Sequence, residues 1–423
     1  MAIFNFELSM EVLRIATAGS VDDGKSTLIG RLLYETNSIT TDKLEAIHRA
    51  SQRKGIDFLD LSLLTDGLIA EREQGITIDV AHIYFNTPRR KFIIADSPGH
   101  VEYTRNMITG ASKAEVSIIL VDVRKGILDQ THRHYFIANL LRIPHVIVCI
   151  NKMDLAGYDE KRFTELKEEF LAFANQIKFP DQEIQFLPVS SLHGENITTI
   201  SSKMSWFDGK PLLAILENLE VHKHLNIAPA RLPIQYIIRP RKDEFHDFRG
   251  YAGRLASGVL TVGDPITVLP SLQKSHISQI HQFDQQLHQA EARQSVVITL
   301  KDNIDISRGD ILVKTSEEPE LKKTFELNVC WMDSQPLVNG KTYLLQHGTA
   351  QSKAKIVSID YVQIPSTLEK LSTDSLQMND IAQIKIKTAK PLAIDRYSEN
   401  PSDGAIILID EHTDNTVAVG FIN

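Results

Sequence analysis

The loop Gly19-Ser20-Val21-Asp22-Asp23-Gly24-Lys25-Ser26-Thr27 limits the fold of this chain more than any other feature. It fits G-x-x-x-x-G-K-[ST], follows an apolar strand-like run (LRIATA) and opens a helix-like one (TLIGRLLY). The motif requires that context. Glycines let the backbone curl so that several N–H groups point at phosphate oxygens. The N-terminus of the following helix adds partial positive charge. Lys25 is placed to neutralise the β- and γ-phosphates, and Ser26 to offer its hydroxyl to Mg²⁺. A strand, a phosphate loop and a helix in this order point to an α/β sheet.

The pattern continues for about half the chain. Buried-strand candidates lie at 12–17, 92–95, 116–121, 146–150 and 185–189, with helical stretches between most of them. The clearest helix is expected over 159–177, where Phe163, Leu166, Phe170, Phe173 and Ile177 share one face as a core stripe. Alternating β and α units predict a mostly parallel sheet with helices on both faces. Residues 79–86 read as an edge strand beside 92–95.

Near residue 225 the helical pattern gives way to short β runs broken by Gly, Pro and Asp. Gly250, Gly253, Gly258 and Gly263 are read as turn punctuation. A second β-rich set begins near Phe325, after the charged SEEPELKK segment. Two small β-barrels follow from this pattern. The expected domains are 1–225, 226–318 and 319–423. A chain of 423 residues is long enough for several cores.

Composition narrows the partners. The net charge of −8 disfavours a nucleic-acid partner, since such binders carry a basic surplus. The longest apolar runs, such as VSIILV, are far too short to span a bilayer. The N-terminus lacks a basic region followed by a long apolar stretch. The two cysteines, Cys149 and Cys330, sit in apolar strand-like runs and read as buried thiols rather than a disulfide or a metal pair. These features suit a reducing cytoplasm.

Further motifs sit at strand ends. Asp96-Ser97-Pro98-Gly99-His100 follows KFIIA. Its carboxylate can reach the Mg²⁺ shell through water, and the Gly99 N–H can approach a γ-phosphate. Asn151-Lys152-Met153-Asp154 ends HVIVCI. The Asp154 carboxylate can accept from guanine N1–H and the exocyclic amine, whereas adenine has no donor at N1. The Lys152 stem can cover the base. Ser190-Ser191-Leu192 can offer a backbone N–H to guanine O6. His132 and His134, two residues apart, do not share a helical face as metal ligands would. His276 and His281 read as solvated residues of a polar barrel loop. Glu71-Arg72-Glu73 reads as an exposed charged face.

Together, GSVDDGKST, EREQGITID, DSPGH, NKMD and SSL resemble the GTPases of the elongation factor Tu type. The resemblance implies that Thr77 completes the Mg²⁺ shell beside Ser26 and water-linked Asp96. It implies that His100 orients the attacking water, with Val21 and Ile76 as an apolar gate. A narrower resemblance runs over nearly the whole chain, through SLLTDGLIAEREQGITIDVA, EYTRNMITGAS, KGILDQTHRHYFIANLL, RGYAGRLASG, VGDPITVLPS, AIDRYSEN and GAIILID. It is to the large, GTPase subunit of the bacterial heterodimeric sulfate adenylyltransferase, and Asp23 stands where elongation factor Tu carries a histidine. Three departures from the superfamily pattern are Ser97 for threonine, Ser191 for alanine, and His193-Gly194-Glu195-Asn196 for an acidic glycine loop.

This resemblance implies GTP and Mg²⁺ as cofactors and a small catalytic subunit as partner, in a heterodimer or higher assembly. It further implies that the partner transfers adenylyl from ATP to sulfate and that GTP hydrolysis drives that unfavourable reaction. The chain holds one phosphate-binding loop and no second G-x-x-x-x-G-K-[ST], so no fused adenylylsulfate kinase is expected. Two other readings share the G-domain motifs. One is a translation factor carrying aminoacyl-tRNA, against which the acidic charge and Asp23 argue. The other is a regulatory GTPase without coupled chemistry.

Overall fold

The computed structural model describes residues 11–53, 59–64, 81–97, 104–220, 226–240 and 248–423. The chain divides into two compact units, one up to Val221 with Pro365–Thr367, the other made of the rest from His222.

The first unit is an α/β domain. Its strands are β1 (Val12–Gly19), β2 (Ala81–Asn86), β3 (Lys91–Asp96), β4 (Val116–Asp122), β5 (His145–Asn151) and β6 (Glu183–Pro188). They lie in the order β2-β3-β1-β4-β5-β6. All neighbours are parallel except β2, which runs antiparallel to β3 as the edge strand. Leu13, Ile15, Val116, Ile118, Leu120, Ile147 and Cys149 form one core with α1 (Lys25–Glu35). The intervening residues Ile119, Val121, Val148 and Ile150 are fully buried as well. A sheet buried on both faces explains why these strands read as unbroken apolar runs.

The remaining helices are α2 (Thr41–Arg53), α3 (Thr104–Ala111), α4 (Asp129–Leu140), α5 (Glu160–Ala174) and α6 (Leu212–Asn218). In α5 the side chain of Asp159 caps the first turn by accepting from the Lys161 N–H. Phe163, Leu166, Phe170 and Phe173 form its buried stripe. Ile177 lies beyond the helix, in a turn where its N–H bonds to the Ala174 carbonyl at 3.1 Å. Cys149 and Cys330 are buried thiols, neither of them joined in a disulfide.

The second unit is built mostly of β-strands. The strands β7 (Arg231–Ile238), β8 (Gly250–Arg254), β9 (Pro265–Leu269), β10 (Gln273–Gln282), β11 (Ser295–Leu300) and β12 (Ile311–Lys314) run β9-β12-β7-β8-β11-β10. Pairing of β9 with β10 closes this sheet into a barrel. The strands β13 (Leu321–Trp331), β14 (Thr342–His347), β15 (Ala350–Gln363), β16 (Ile381–Ala393), β17 (Ala405–Ile409) and β18 (Thr416–Ile422) run β14-β17-β18-β13-β16-β15. Pairing of β14 with β15 closes the second barrel.

Two readings of this unit need correction. His276 and His281 lie on strand β10, not in a loop, with His276 exposed and His281 half-buried against Gln279 and Phe248. Gly250 and Gly253 lie inside β8 rather than in turns. A side chain at Gly253 would put its Cβ 2.4 Å from the Pro233 carbonyl oxygen, so that glycine serves a close strand approach. Gly258 and Gly263, with φ of 72° and 93°, do turn the chain.

Candidate functional site

The phosphate loop leaves the carboxyl end of β1, and every other described motif residue leaves the same end of a parallel strand. Asp96 ends β3, Asp122 ends β4, Asn151 ends β5 and Ser190 follows β6. Open α/β sheets gather ligand sites at this end. Thr77, Gly99 and His100 lie outside the described residues, as do Ile76 and Glu71-Arg72-Glu73.

The loop is held by its own conformation and by side chains from the β4 and β5 ends. Gly24, the residue before α1, has φ 95°. A Cβ there would meet Asn151 Nδ2 at 2.4 Å, so glycine is required by both backbone and space. Asn151 Nδ2 donates to the Asp23 carbonyl at 2.7 Å. Asn151 Oδ1 accepts from the Ser191 N–H at 3.0 Å and the Ser191 hydroxyl at 2.9 Å. One amide thus ties the phosphate loop to the Ser190–Leu192 segment. Since the Ser191 N–H is committed to Asn151, a backbone donor to a base oxygen would come from a later N–H of that loop.

Lys25 and Asp96 form a buried pair at 2.8 Å. Thr17 donates its hydroxyl to the same oxygen, Oδ1, at 2.9 Å. Among the described residues no donor engages the other Asp96 oxygen. Ser26 stands in the first turn of α1, beside Lys25. The Ser20 hydroxyl is buried without a hydrogen-bond partner among the described residues. This donor set fits a phosphate chain with Mg²⁺: an ammonium, a glycine cradle, a hydroxyl and a carboxylate reachable through water. Among the described residues no cluster of three His, Cys, Asp or Glu could hold a metal by itself.

At the base end, Asp154 Oδ1 accepts the Ser190 hydroxyl at 2.5 Å, and His193 Nε2 lies 3.9 Å from Oδ2. Lys152, with φ 63°, extends its ammonium to Asp122 at 3.0 Å and to the Asp22 carbonyl. The stem of Lys152 therefore bridges the base-reading segment and the phosphate loop. Asp122 also takes a two-pronged contact from Arg124. These hydrogen bonds hold its carboxyl far below the usual range, overcoming burial. Burial pushes Asp23 the other way, up to about 6, against the Ser20 N–H and the nearby lysines.

Motif reading missed four contributors. Thr17 holds Asp96, Asp122 holds Lys152, Lys125 reaches the Val21 carbonyl, and Arg31 of α1 holds the base loop by donating to the Ser191 and Leu192 carbonyls. Arg31 and Lys125 address backbone carbonyls more than 100 residues away, which no local spacing reveals. His132 and His134 have other partners. His132 stacks on Phe173 at 4.0 Å, and His134 is buried beside Gln130.

The fold and this site define a class, and sequence comparison agrees. The family model for the elongation factor Tu GTP binding domain matches residues 10–222. The model for the GTP-eEF1A C-terminal domain-like family matches residues 324–423. The chain therefore carries a GTP-binding domain of the elongation factor Tu type. Closer relatives narrow the class. The protein named sulfate adenylyltransferase subunit 1 from Citrobacter koseri is 46% identical over 97% of this chain and 86% of its own length. The protein of that name from Aliivibrio fischeri is 47% identical with the same coverage. The bifunctional enzyme CysN/CysC of Mycobacterium tuberculosis is 45% identical over 97% of this chain and 67% of its own. The chain belongs to the sulfate adenylyltransferase subunit 1 family.

Proposed function

We propose that this chain is the GTPase subunit of a sulfate adenylyltransferase. GTP hydrolysis here drives a partner subunit to form adenosine 5′-phosphosulfate and pyrophosphate from ATP and sulfate. The observation that carries this reading is the 46–47% identity, over 97% of the chain, to proteins that bear the subunit's name. The assembly is a heterodimer or a multiple of one, at work in the cytoplasm, with neither nucleic acid nor membrane as partner. Among the described residues no helix is long and apolar enough to cross a membrane.

In this reading Lys25 and the N–H groups of Gly19–Thr27 hold the phosphates, and Asp154 selects guanine. Asn151 fixes the distance between the two ends of the site, and Lys152 lies along the base. Ser190–Leu192 walls the base, with a peptide N–H toward its O6. Ser26, Thr77 and Asp96, the last through water, would hold Mg²⁺, which when bound would supply positive charge to the phosphates. Gly99 would offer its N–H to the γ-phosphate, and His100 would orient the attacking water. Coupling follows from linkage. If the GTP state of the Thr77 and His100 segments alters the partner's affinity for its intermediates, those intermediates alter the segments in return.

The test is product yield at equilibrium against GTP concentration in the complex reconstituted with its partner. Yield should rise with GTP, and Lys25→Ala should abolish that rise while sparing basal transfer by the partner. A yield independent of GTP, or product made by this chain alone, would overturn the reading.

A further inference from the structure

Three consecutive carbonyls of the phosphate loop accept side-chain donors from outside it. Val21 O takes the Lys125 ammonium at 2.9 Å, Asp22 O the Lys152 ammonium, and Asp23 O the Asn151 amide at 2.7 Å. In a trans peptide the C=O and the following N–H point to opposite sides of the chain. A carbonyl drawn toward its donor turns the next N–H the other way. The Lys125 contact therefore orients the Asp22 N–H, and the Asn151 contact the Gly24 N–H, away from these donors and toward the opposite side of the loop. The Asp23 N–H stays inside the loop, on the Ser20 carbonyl at 3.1 Å.

Asn151 and Lys152 belong to the base-reading segment. Lys125 comes from the loop after β4, and no motif gives it a role. Its ammonium also lies 3.8 Å from Asp23 Oδ1, a buried oxygen without a hydrogen-bond partner among the described residues. The other Asp23 oxygen accepts the Ser20 N–H at 2.7 Å. One ammonium thus addresses a carbonyl and a carboxylate of the same loop.

We propose that Lys125 is a positioning residue for the nucleotide phosphates, aligning the Asp22 N–H and balancing the buried Asp23 carboxylate within the loop. The proposal rests on the GTP-binding reading above. The charged groups facing Asp23 are Lys125 and Lys152, which favour its ionised form, and Asp122, which opposes it. Without Lys125 an ionised Asp23 repels the phosphates with less compensation. The loss therefore costs most where Asp23 is ionised and least where it is protonated.

Calorimetric titration of the full chain with GDP and GTP, in Mg²⁺ between about pH 5 and 8, tests this. Lys125→Met should weaken both nucleotides by about tenfold at neutral pH, the scale of one charge-assisted hydrogen bond. The deficit should shrink as the pH falls and Asp23 takes up its proton, and Lys125→Arg should restore most of the affinity. A Lys125→Met chain that binds like the parent at every pH overturns the proposal. So does a deficit that ignores pH and is not rescued by arginine, which would mark a merely structural lysine. A parent chain that binds no guanine nucleotide would instead overturn the GTP reading itself.

Discussion

At Asp154 one carboxylate oxygen accepts the Ser190 hydroxyl at 2.5 Å, and each oxygen retains capacity for a donor from a base. Asp154→Asn replaces one acceptor by an amide donor. GTP affinity should fall by on the order of 2–4 kcal/mol. Xanthosine triphosphate, whose C2 carbonyl matches that donor, should become the preferred ligand. Competition between the two nucleotides measures the switch, and unchanged GTP affinity would remove Asp154 from the base site. Asp23 makes a prediction about pH. Its carboxyl is raised by burial to about 6 from its ordinary value of 3.8, so the folded chain holds this proton more tightly than the unfolded one. The stability this confers is full below the unfolded value and is lost as pH rises through the folded one. Asp23→Asn keeps an acceptor for the Ser20 N–H but does not titrate. The stability of the nucleotide-free parent, relative to the variant, should therefore decline between about pH 4 and 6 and then level off. Melting temperatures of the two chains across that range check the sign.

Among the elements, α5 packs Phe170 edge-on against Tyr135 at 5.2 Å and Phe186 at 5.6 Å. Phe170 is fully buried. Phe170→Ala should destabilise the α/β unit by about 3–5 kcal/mol, read as a lower unfolding midpoint for that unit alone. The stripe to which Phe170 belongs was legible because its spacing matches a helix, and the central strands β1, β4 and β5 were legible because both of their faces are buried. Strand β10 was not. Its inward residues are Ser275, Ile277 and Ile280, and a bulge between Ile277 and Gln279 shifts the period from two to three. With a serine at one inward position and a break in alternation, the segment has the surface pattern of a polar loop. The site divides in the same way. Lys25, Asp96, Asn151 and Asp154 were legible because each stands at a fixed place beside a strand end. Arg31 and Lys125 were not, because they act on main-chain carbonyls that only the folded sheet brings near.

On the scale of the whole molecule, the second unit joins its two barrels through a buried ion pair. Arg231 of β7 is 2% exposed and makes a two-pronged contact with Asp395, at 2.9 Å to each oxygen. Its Nη1 donates to the Ala230 and Glu317 carbonyls. Asn400 donates to Asp395 at 2.8 Å and to the Ser257 hydroxyl at 2.9 Å, adding a second link between the barrels. Removing one partner of such a pair strands the other charge, and that loss outweighs the modest net worth of the intact pair. Asp395→Ala should therefore cost about 3–5 kcal/mol, because Arg231 stays buried with its charge unanswered. Arg231→Met combined with Asp395→Leu removes both charges and keeps much of the volume, so it should recover most of that loss. Chemical denaturation of parent, single and double variants, followed through the buried Trp331 of the second barrel, separates the cases. If the double variant is no more stable than Asp395→Ala, the barrels depend on the geometry of this pair rather than on the absence of an unpaired charge.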